Sequence, residues 1–543
     1  MRIRVRQVIL PAGSAESALP ATVARKLGVG HGRVRAVTAL RRSLDARRRR
    51  AAHYSFTVEA EVDGPPLPAW TDNRDIEILA EDGGSQTEHA TRPAPAVTPR
   101  RRPATPPLVV GAGPAGLMAA LTLAEAGLRP VLIERGAPVE ERAGQVHRFW
   151  TDGLLDPESN VLYGEGGAGL FSDGKLTARA KDRERIRRFF RTLVACGAPE
   201  TILLDAEPHL GSDRLLNLTP LLRRRIVEHG GEVRFHARFD GLHIEDGRLA
   251  SVVVNGETWP TTHCILATGH SARDVYDALA RGGLALAAKP FAIGVRLELP
   301  QAAINRSQLG DACRAVVGAA SFRLTRRAEA GARACYSFCM CPGGTVIACA
   351  SMPGLLTTNG MSLAARARPF GNAAFLVPVT PADFPAGGPG AVVAALAGCE
   401  FQRRIEAAAF AAGGGGYGLP AMRLAGFLEG DPAAGLPEER SCRTARAADL
   451  RSLLPEFVTA TLIQALPPML HHLRGVRIEQ ALLYAAETRS SSPVRMVRDA
   501  TGQSVCARGV FPAGEGAGYA GGIVSSALDG ERAAECLVKE IQA

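Results

Sequence analysis

Leu108-Val109-Val110-Gly111-Ala112-Gly113-Pro114-Ala115-Gly116 leads into an alanine-rich apolar run that ends near Ala126, and Pro130-Val131-Leu132-Ile133-Glu134 follows. The order reads as a short buried strand, a glycine turn, a helix and a second strand, a βαβ unit of about 30 residues. Each glycine has a separate job in such a turn. Gly111 permits the tight bend, Gly113 lets the backbone approach a pyrophosphate, and Gly116 lets helix and strand pack closely. Pro114 and Ala115 open the helix, whose free N–H groups and dipole favour the phosphates. Glu134, followed by Arg135, ends the second strand about 20 residues on, where an acid binds ribose hydroxyls. A carboxylate there repels a 2′-phosphate, so the unit is expected to take FAD or NAD rather than NADP.

The bare G-x-G-x-x-G pattern recurs twice, at Gly164, Gly166 and Gly169 and at Gly516, Gly518 and Gly521. Only the first copy has the strand, the helix and the acid around it. The last copy favours FAD over NAD. Phe511-Pro512-Ala513-Gly514-Glu515 leaves a strand, and Gly521, Gly522 and Ile523 open a helix. In flavin folds made from two segments, the acid binds the ribityl chain. The helix dipole then stabilises the reduced isoalloxazine at its pyrimidine edge. Glu515 is the candidate acid. The middle copy continues to Lys175 and packs five glycines, Ser172, Asp173 and Lys175 into twelve positions. Gly166 and Gly167 allow backbone to lie against a flat ring or a phosphate. Lys175 can pair with the pyrophosphate or sit near flavin N1, or be held by Asp173 instead. Thr268 and Gly269, at the end of the apolar run Cys264 to Ala267, complete the expected cofactor set.

Several long strings resemble a largely uncharacterised bacterial family of FAD-dependent dehydrogenases within the glutathione-reductase-like flavoproteins. They are Gly164 to Lys175, Tyr336-Ser-Phe-Cys-Met-Cys-Pro-Gly-Gly344, Glu487-Thr-Arg-Ser-Ser-Ser-Pro-Val-Arg495 and Gly514 to Gly522, with Gly269-His-Ser-Ala-Arg273 and Lys289-Pro-Phe-Ala-Ile-Gly294 beside them. The resemblance runs from about residue 1 to the C-terminus. It implies FAD and a redox role but no particular substrate. One departure is Met422, where the family pattern has Gln. Arg489 and Arg495 flank three serines and suit an anionic or carbonyl-bearing substrate. Salt bridges that staple the insert to the FAD domain are the alternative. With Lys175 they are the catalytic candidates.

The 543 residues allow about three domains. We expect an α/β protein. A small basic α/β domain (1–82) and a Pro-rich linker (83–103) precede a Rossmann-type FAD-binding domain in two sequence segments (104–287 and 481–543). An inserted α+β substrate or cap domain lies between them (288–480). Within the first unit, Arg2 to Leu10 alternates as a strand with a slip between Val5 and Val8. His31 to Leu40 reads as a strand, and Arg41 to Arg50 as a charged helix or loop.

The net charge of +10 is uneven, because residues 1–50 carry roughly +11. That raises a nucleic-acid arm as one option and a solvated face as another. The glycine-broken apolar run at Leu108 to Ala124 is not a membrane span, and Met1 to Arg6 lacks a signal-peptide run. Eleven scattered cysteines fit a reducing compartment, so the expected location is cytoplasmic. Cys335, Cys339 and Cys341 lack a well-spaced fourth ligand, and no metal is expected. Cys339 and Cys341, two apart on an extended strand, should point to opposite faces, which argues against a redox disulfide.

The expected function is an FAD-dependent oxidoreductase passing a hydride between a small molecule and flavin N5. No second complete fingerprint offers NAD(P)H a domain of its own, so it would act only as a transient reductant. A flavin monooxygenase, a thiol–disulfide reductase and a nucleic-acid-binding flavoprotein are the competing classes.

Overall fold

The computed structural model describes residues 1–46, 52–79, 103–177, 182–310, 317–329, 333–384, 394–433 and 435–542. Arg47 to Arg50 and all of the linker but its last residue lie outside these.

The N-terminal unit is a four-stranded antiparallel sheet ordered Val34–Asp45, His53–Val62, Arg2–Pro11, Ile76–Ile78. Ile3, Val5, Val8 and Leu10 bury one face with Phe56, Val58 and the helix Leu19–Leu27. The slip is a register shift between Val5 and Val8, with Gln7 at φ 54°. It keeps apolar residues on the core face although the spacing changes by one. Residues 41–45 are not helix or loop. The strand continues to Asp45, pairing Arg41 to Asp45 with Thr57 to His53, because the ladder satisfies this backbone and Arg42 has acids to meet. Arg42 reaches Glu16 and also Asp205 in the next unit, both at 2.8 Å.

The central sheet has five parallel strands ordered Val510–Pro512, Cys264–Leu266, Leu108–Val110, Val131–Ile133, Glu232–Arg234. Its middle strands are apolar on both faces, as burial between helix layers requires. The C-terminal strand joins at one edge. Its helix Ile523–Gln542 lies along Pro114–Glu125 so closely that a Cβ on Gly530 would stand 1.9 Å from the Ala115 carbonyl. The sheet is thus built from two distant parts of the chain.

The insert holds a seven-stranded sheet ordered Thr325–Arg326, Cys335–Cys341, Phe370–Val379, Phe291–Pro300, Leu482–Glu487, Pro420–Arg423, Arg446–Ala447. Leu482–Glu487, expected in the second FAD segment, is instead bonded inside this sheet beside Phe291–Pro300. An apolar strand carries no mark of which sheet will take it. In Phe291–Pro300, Ile293, Val295, Leu297 and Leu299 enter the insert's core with the helix Glu456–His471. Arg296 and Glu298 alternate with them and are also buried. Met422 lies in the same core, so no polar contact stands there.

Candidate active site

A cleft of about 3430 Å³ runs between the central sheet, the insert and the N-terminal unit. Gly111, Gly113, Pro114, Ala115, Glu134, Arg135, Gly167, Ser172, Asp173, Lys175, Thr268, Gly269, Glu515, Gly521, Gly522 and Ile523 line it. Gly116, Gly166 and Gly514 support it from behind. Gly111 adopts φ +99°, and a Cβ on Gly116 would stand 1.7 Å from the Gly111 carbonyl, so the helix sits directly on the turn. Gly166 N–H donates to Ala112 O, and Gly514 N–H to Asp529 Oδ2, each at 2.8 Å.

Glu134 is buried and accepts from Ala112 N–H at 2.8 Å and Gly136 N–H at 2.9 Å. Arg135 grips Glu158 with two nitrogens, reaches Asp274 at 3.0 Å and lies over the Tyr163 ring. It shapes the mouth of the cleft with little left for a phosphate. Glu515 is pushed up to about 7 by burial, against the pull of Lys289.

The remaining candidates are more committed than the sequence suggested. Ser172 Oγ donates to Gly169 O at 2.6 Å and accepts from Gly174 N–H at 3.1 Å, closing its own turn. Asp173 is buried and held by Arg366 and Ser362 of the insert, with Lys175 Nζ farther off at 3.9 Å. Lys175 instead donates across the cleft to Met340 O. Arg489 is not free for a substrate. It pairs with Glu406 at 2.8 Å and donates to Ser351 Oγ at 2.7 Å. Arg495 lies outside the cleft lining, exposed, with its guanidinium 5.3 Å from the Tyr519 ring.

Glu406 accepts from both Arg273 of the FAD-side helix and Arg489. Burial opposes its charge, but the two guanidiniums hold its carboxyl at about 2. A second buried network stands under the cleft. Arg296 donates to both Glu487 oxygens at 2.7 Å, to Asn372 at 2.9 Å and to Asn359 at 3.0 Å. Arg142, wholly buried, donates to the carbonyls of Asn160, Val161, Gly164, Glu165 and Gly167. It thereby fixes the loop that faces the phosphate turn, while burial pushes it down to about 9. His270 has Nε2 3.1 Å from Arg489 O and Nδ1 3.1 Å from Ser271 Oγ. Burial and Arg489 push it down to about 4. It is therefore a neutral imidazole protonated on Nε2. Residue spacing alone assigns no role to Arg142, Arg273, Arg296, Glu406 or His270. A charged residue inside the apolar run Phe291 to Pro300 was the one local signal.

The expected alternation of Cys339 and Cys341 fails. The strand bulges between Phe338 and Cys341, Cys339 takes φ +43°, and the Cys341 thiol turns back to donate to Cys339 O at 3.3 Å. Among the described residues no group of three metal-ligating side chains could hold an ion, and no helix is long and apolar enough to cross a membrane.

Residues 108–304 match the family described as FAD dependent oxidoreductase, and residues 290–490 the one described as FAD-dependent protein, C-terminal domain-like. Residues 2–61 match a domain of unknown function. An uncharacterized protein of Clostridium beijerinckii is 38% identical over 550 residues, 99% of each chain. Among solved structures, the flavin-dependent brominase Bmp2 triple mutant is 12% identical, with 80% of each chain covered and a TM-score of 0.35. Glycine oxidase from Bacillus cereus is 10% identical, over 81% of this chain and 98% of that one, with a TM-score of 0.30. Likeness at that level brings no neighbour's chemistry to this chain.

Proposed function

Because the chain belongs to a family of FAD-dependent oxidoreductases, we propose that it passes a hydride between a small-molecule substrate and N5 of an FAD lying along the cleft. One observation carries this reading. The glycine turn, Glu134 and the C-terminal Glu515 with its helix come from distant parts of the chain and line a single cleft.

The residues present fit the cofactor. Thr268 has a buried hydroxyl with no hydrogen-bond partner, and it lines the cleft. Such a group is costly unless a guest satisfies it. Glu134 uses one site on each oxygen for backbone N–H groups and keeps lone pairs for ribose hydroxyls. The N-terminus of Pro114–Glu125 presents its free N–H groups to a pyrophosphate. Glu515 would hold the ribityl hydroxyls, and the N-terminus of the helix Ile523–Gln542, which opens onto the same cleft, would favour the negative charge of the reduced ring. When bound, the isoalloxazine supplies the two-electron chemistry that side chains lack. Neutral His270 and Glu487, the latter paired with Arg296, bring polar groups to the cleft without adding an unpaired charge.

The purified protein should be yellow, with about one FAD per chain, as a single complete fingerprint implies. Gly113→Val places side-chain atoms where the pyrophosphate must lie and should abolish the visible absorbance while leaving far-UV circular dichroism unchanged. Full FAD occupancy in that variant would refute the placement. Anaerobic bleaching with NADH, NADPH and a metabolite panel then identifies the electron donor.

A further inference from the structure

The strand Cys335–Cys341 leaves its regular course at one point. Its register against Phe370–Val379 shifts between Phe338 and Cys341, and Cys339 adopts φ +43°. A bulge re-aims a side chain and cancels the alternation that would set these cysteines on opposite faces. A positive φ on a residue other than glycine costs free energy, and such outliers gather at working sites. Cys341 is fully buried, and its thiol donates to Cys339 O at 3.3 Å. Arg296 donates to that same carbonyl at 3.3 Å. Cys339 is half-buried and lines the cleft. Lys175 is bonded to the next carbonyl, Met340 O.

The charges around the pair agree with its geometry. The Cys341 hydrogen bond pushes Cys339 down to about 6 against burial, with help from Lys175 and Arg296, while Asp173 opposes. Cys341 moves the other way, well above an ordinary thiol. Every other described cysteine with a resolved shift is raised by burial. Cys339 thus favours the thiolate and lines the cleft, and Cys341, two residues on, is a buried thiol whose Sγ lies 3.3 Å from the Cys339 carbonyl oxygen. That is the division of labour that thiol–disulfide exchange needs.

We propose that Cys339 and Cys341 form a dithiol that exchanges with a small-molecule disulfide entering the cleft. The Cys339 thiolate attacks one sulfur of RSSR, the S–S bond breaks, and one RS⁻ leaves with the bonding pair. Cys341 sulfur then attacks Cys339 sulfur in the mixed disulfide and expels the second RS group, which carries away the Cys341 proton. The sum is RSSR + Cys339–S⁻ + Cys341–SH → Cys339–S–S–Cys341 + RS⁻ + RSH. The small disulfide gains two electrons and the protein pair loses them. The inference rests on the thiol geometry and is independent of where the flavin lies.

The test uses reduced, FAD-loaded protein incubated with cystamine, then acid-quenched, alkylated and read by peptide mass spectrometry. The parent should yield a Cys339–Cys341 disulfide. Cys341→Ser should accumulate a cysteamine adduct on Cys339, and Cys339→Ser should leave Cys341 reduced. In the parent, Cys339 alkylation should reach half its maximal rate near pH 6, below the ordinary thiol value of about 8.5. A parent pair that stays reduced, or a Cys339 midpoint at or above that ordinary value, overturns the proposal even if Cys341→Ser fails to fold. Flavin absorbance of the same samples separates the two readings: retained FAD with unreactive thiols sinks only the dithiol.

Discussion

At the Gly111–Gly116 turn, the groups that face the cleft are backbone, and the residues that shape them lie within six positions of one another. On the insert side, the polar groups are side chains whose partners are far away in sequence. Arg296 and Glu487 are 191 residues apart, and Arg273 and Glu406 are 133 apart. A backbone cradle tolerates any sequence that keeps its glycines. A buried ion cluster tolerates almost none, because removing one member strands the others without solvent. The two sides should therefore respond to mutation in different currencies, ligand affinity on the first and folding stability on the second.

The largest effect is expected at Glu406. Its carboxylate satisfies two buried guanidiniums and Thr488 Oγ1. Glu406→Ala leaves both arginines unpaired, at a cost of about 3–5 kcal/mol, measurable by chemical denaturation. The pH dependence has a defined sign. This carboxyl is held at about 2 in the fold, below its unfolded value. Its contribution is complete above roughly pH 4.5 and is lost as pH falls toward 2. Glu406→Ala should flatten that acid limb. A variant within about 1 kcal/mol of the parent would show that the cluster does not staple the insert to the FAD domain.

Arg142 crosses the two categories, since it is a buried side chain that holds backbone. Five carbonyls accept from it, including those of Gly164 and Gly167 beside the phosphate turn. Arg142→Lys keeps the charge but offers one ammonium in place of a planar fork. Losing hydrogen bonds from a charged donor costs about 1.5–3 kcal/mol. The variant should lower the melting temperature and weaken FAD together. If it binds FAD as the parent does, the loop at 160–167 is positioned by other contacts.

The same contrast explains what the sequence disclosed. The roles of Gly111, Gly113, Gly116 and Glu134 follow from spacing within one βαβ unit, where each residue's job is local. Arg142 sits in the charged helix Val139–Asp152, and the carbonyls it binds belong to residues of no particular type. Arg489 read equally well as a substrate cation or a staple, and only the fold brings Glu406 to it. The bulge at Cys339 has no glycine or proline to announce it, so alternation was the natural expectation. Leu482–Glu487 could have joined either sheet. Short-range chemistry was legible, and the long-range pairing that closes the cleft was not.

The finest division of the two sides concerns Glu515. Glu515→Ala removes charge-assisted contacts to the ribityl hydroxyls worth roughly 1.5–3 kcal/mol, or about 10–150-fold in FAD affinity. The parent should also show a weaker dependence on pH. Burial pushes this carboxyl up to about 7, while Lys289 opposes the rise and Cys339 adds to it. Hydroxyls that donate to the carboxylate favour its ionised form, so FAD binding should lower its pKa. By linkage, affinity then rises with pH through the neutral range, about tenfold for each unit of that lowering. Glu515→Gln should abolish the rise while preserving the shape of the site. Because Lys289 and the Cys339 thiolate lie in the same field, Cys339→Ser should move the midpoint downward without flattening the curve. FAD dissociation constants measured from pH 6 to 8 for the three proteins decide the matter. A slope that survives Glu515→Gln would assign the titration to another group and leave the ribityl chain held by backbone alone.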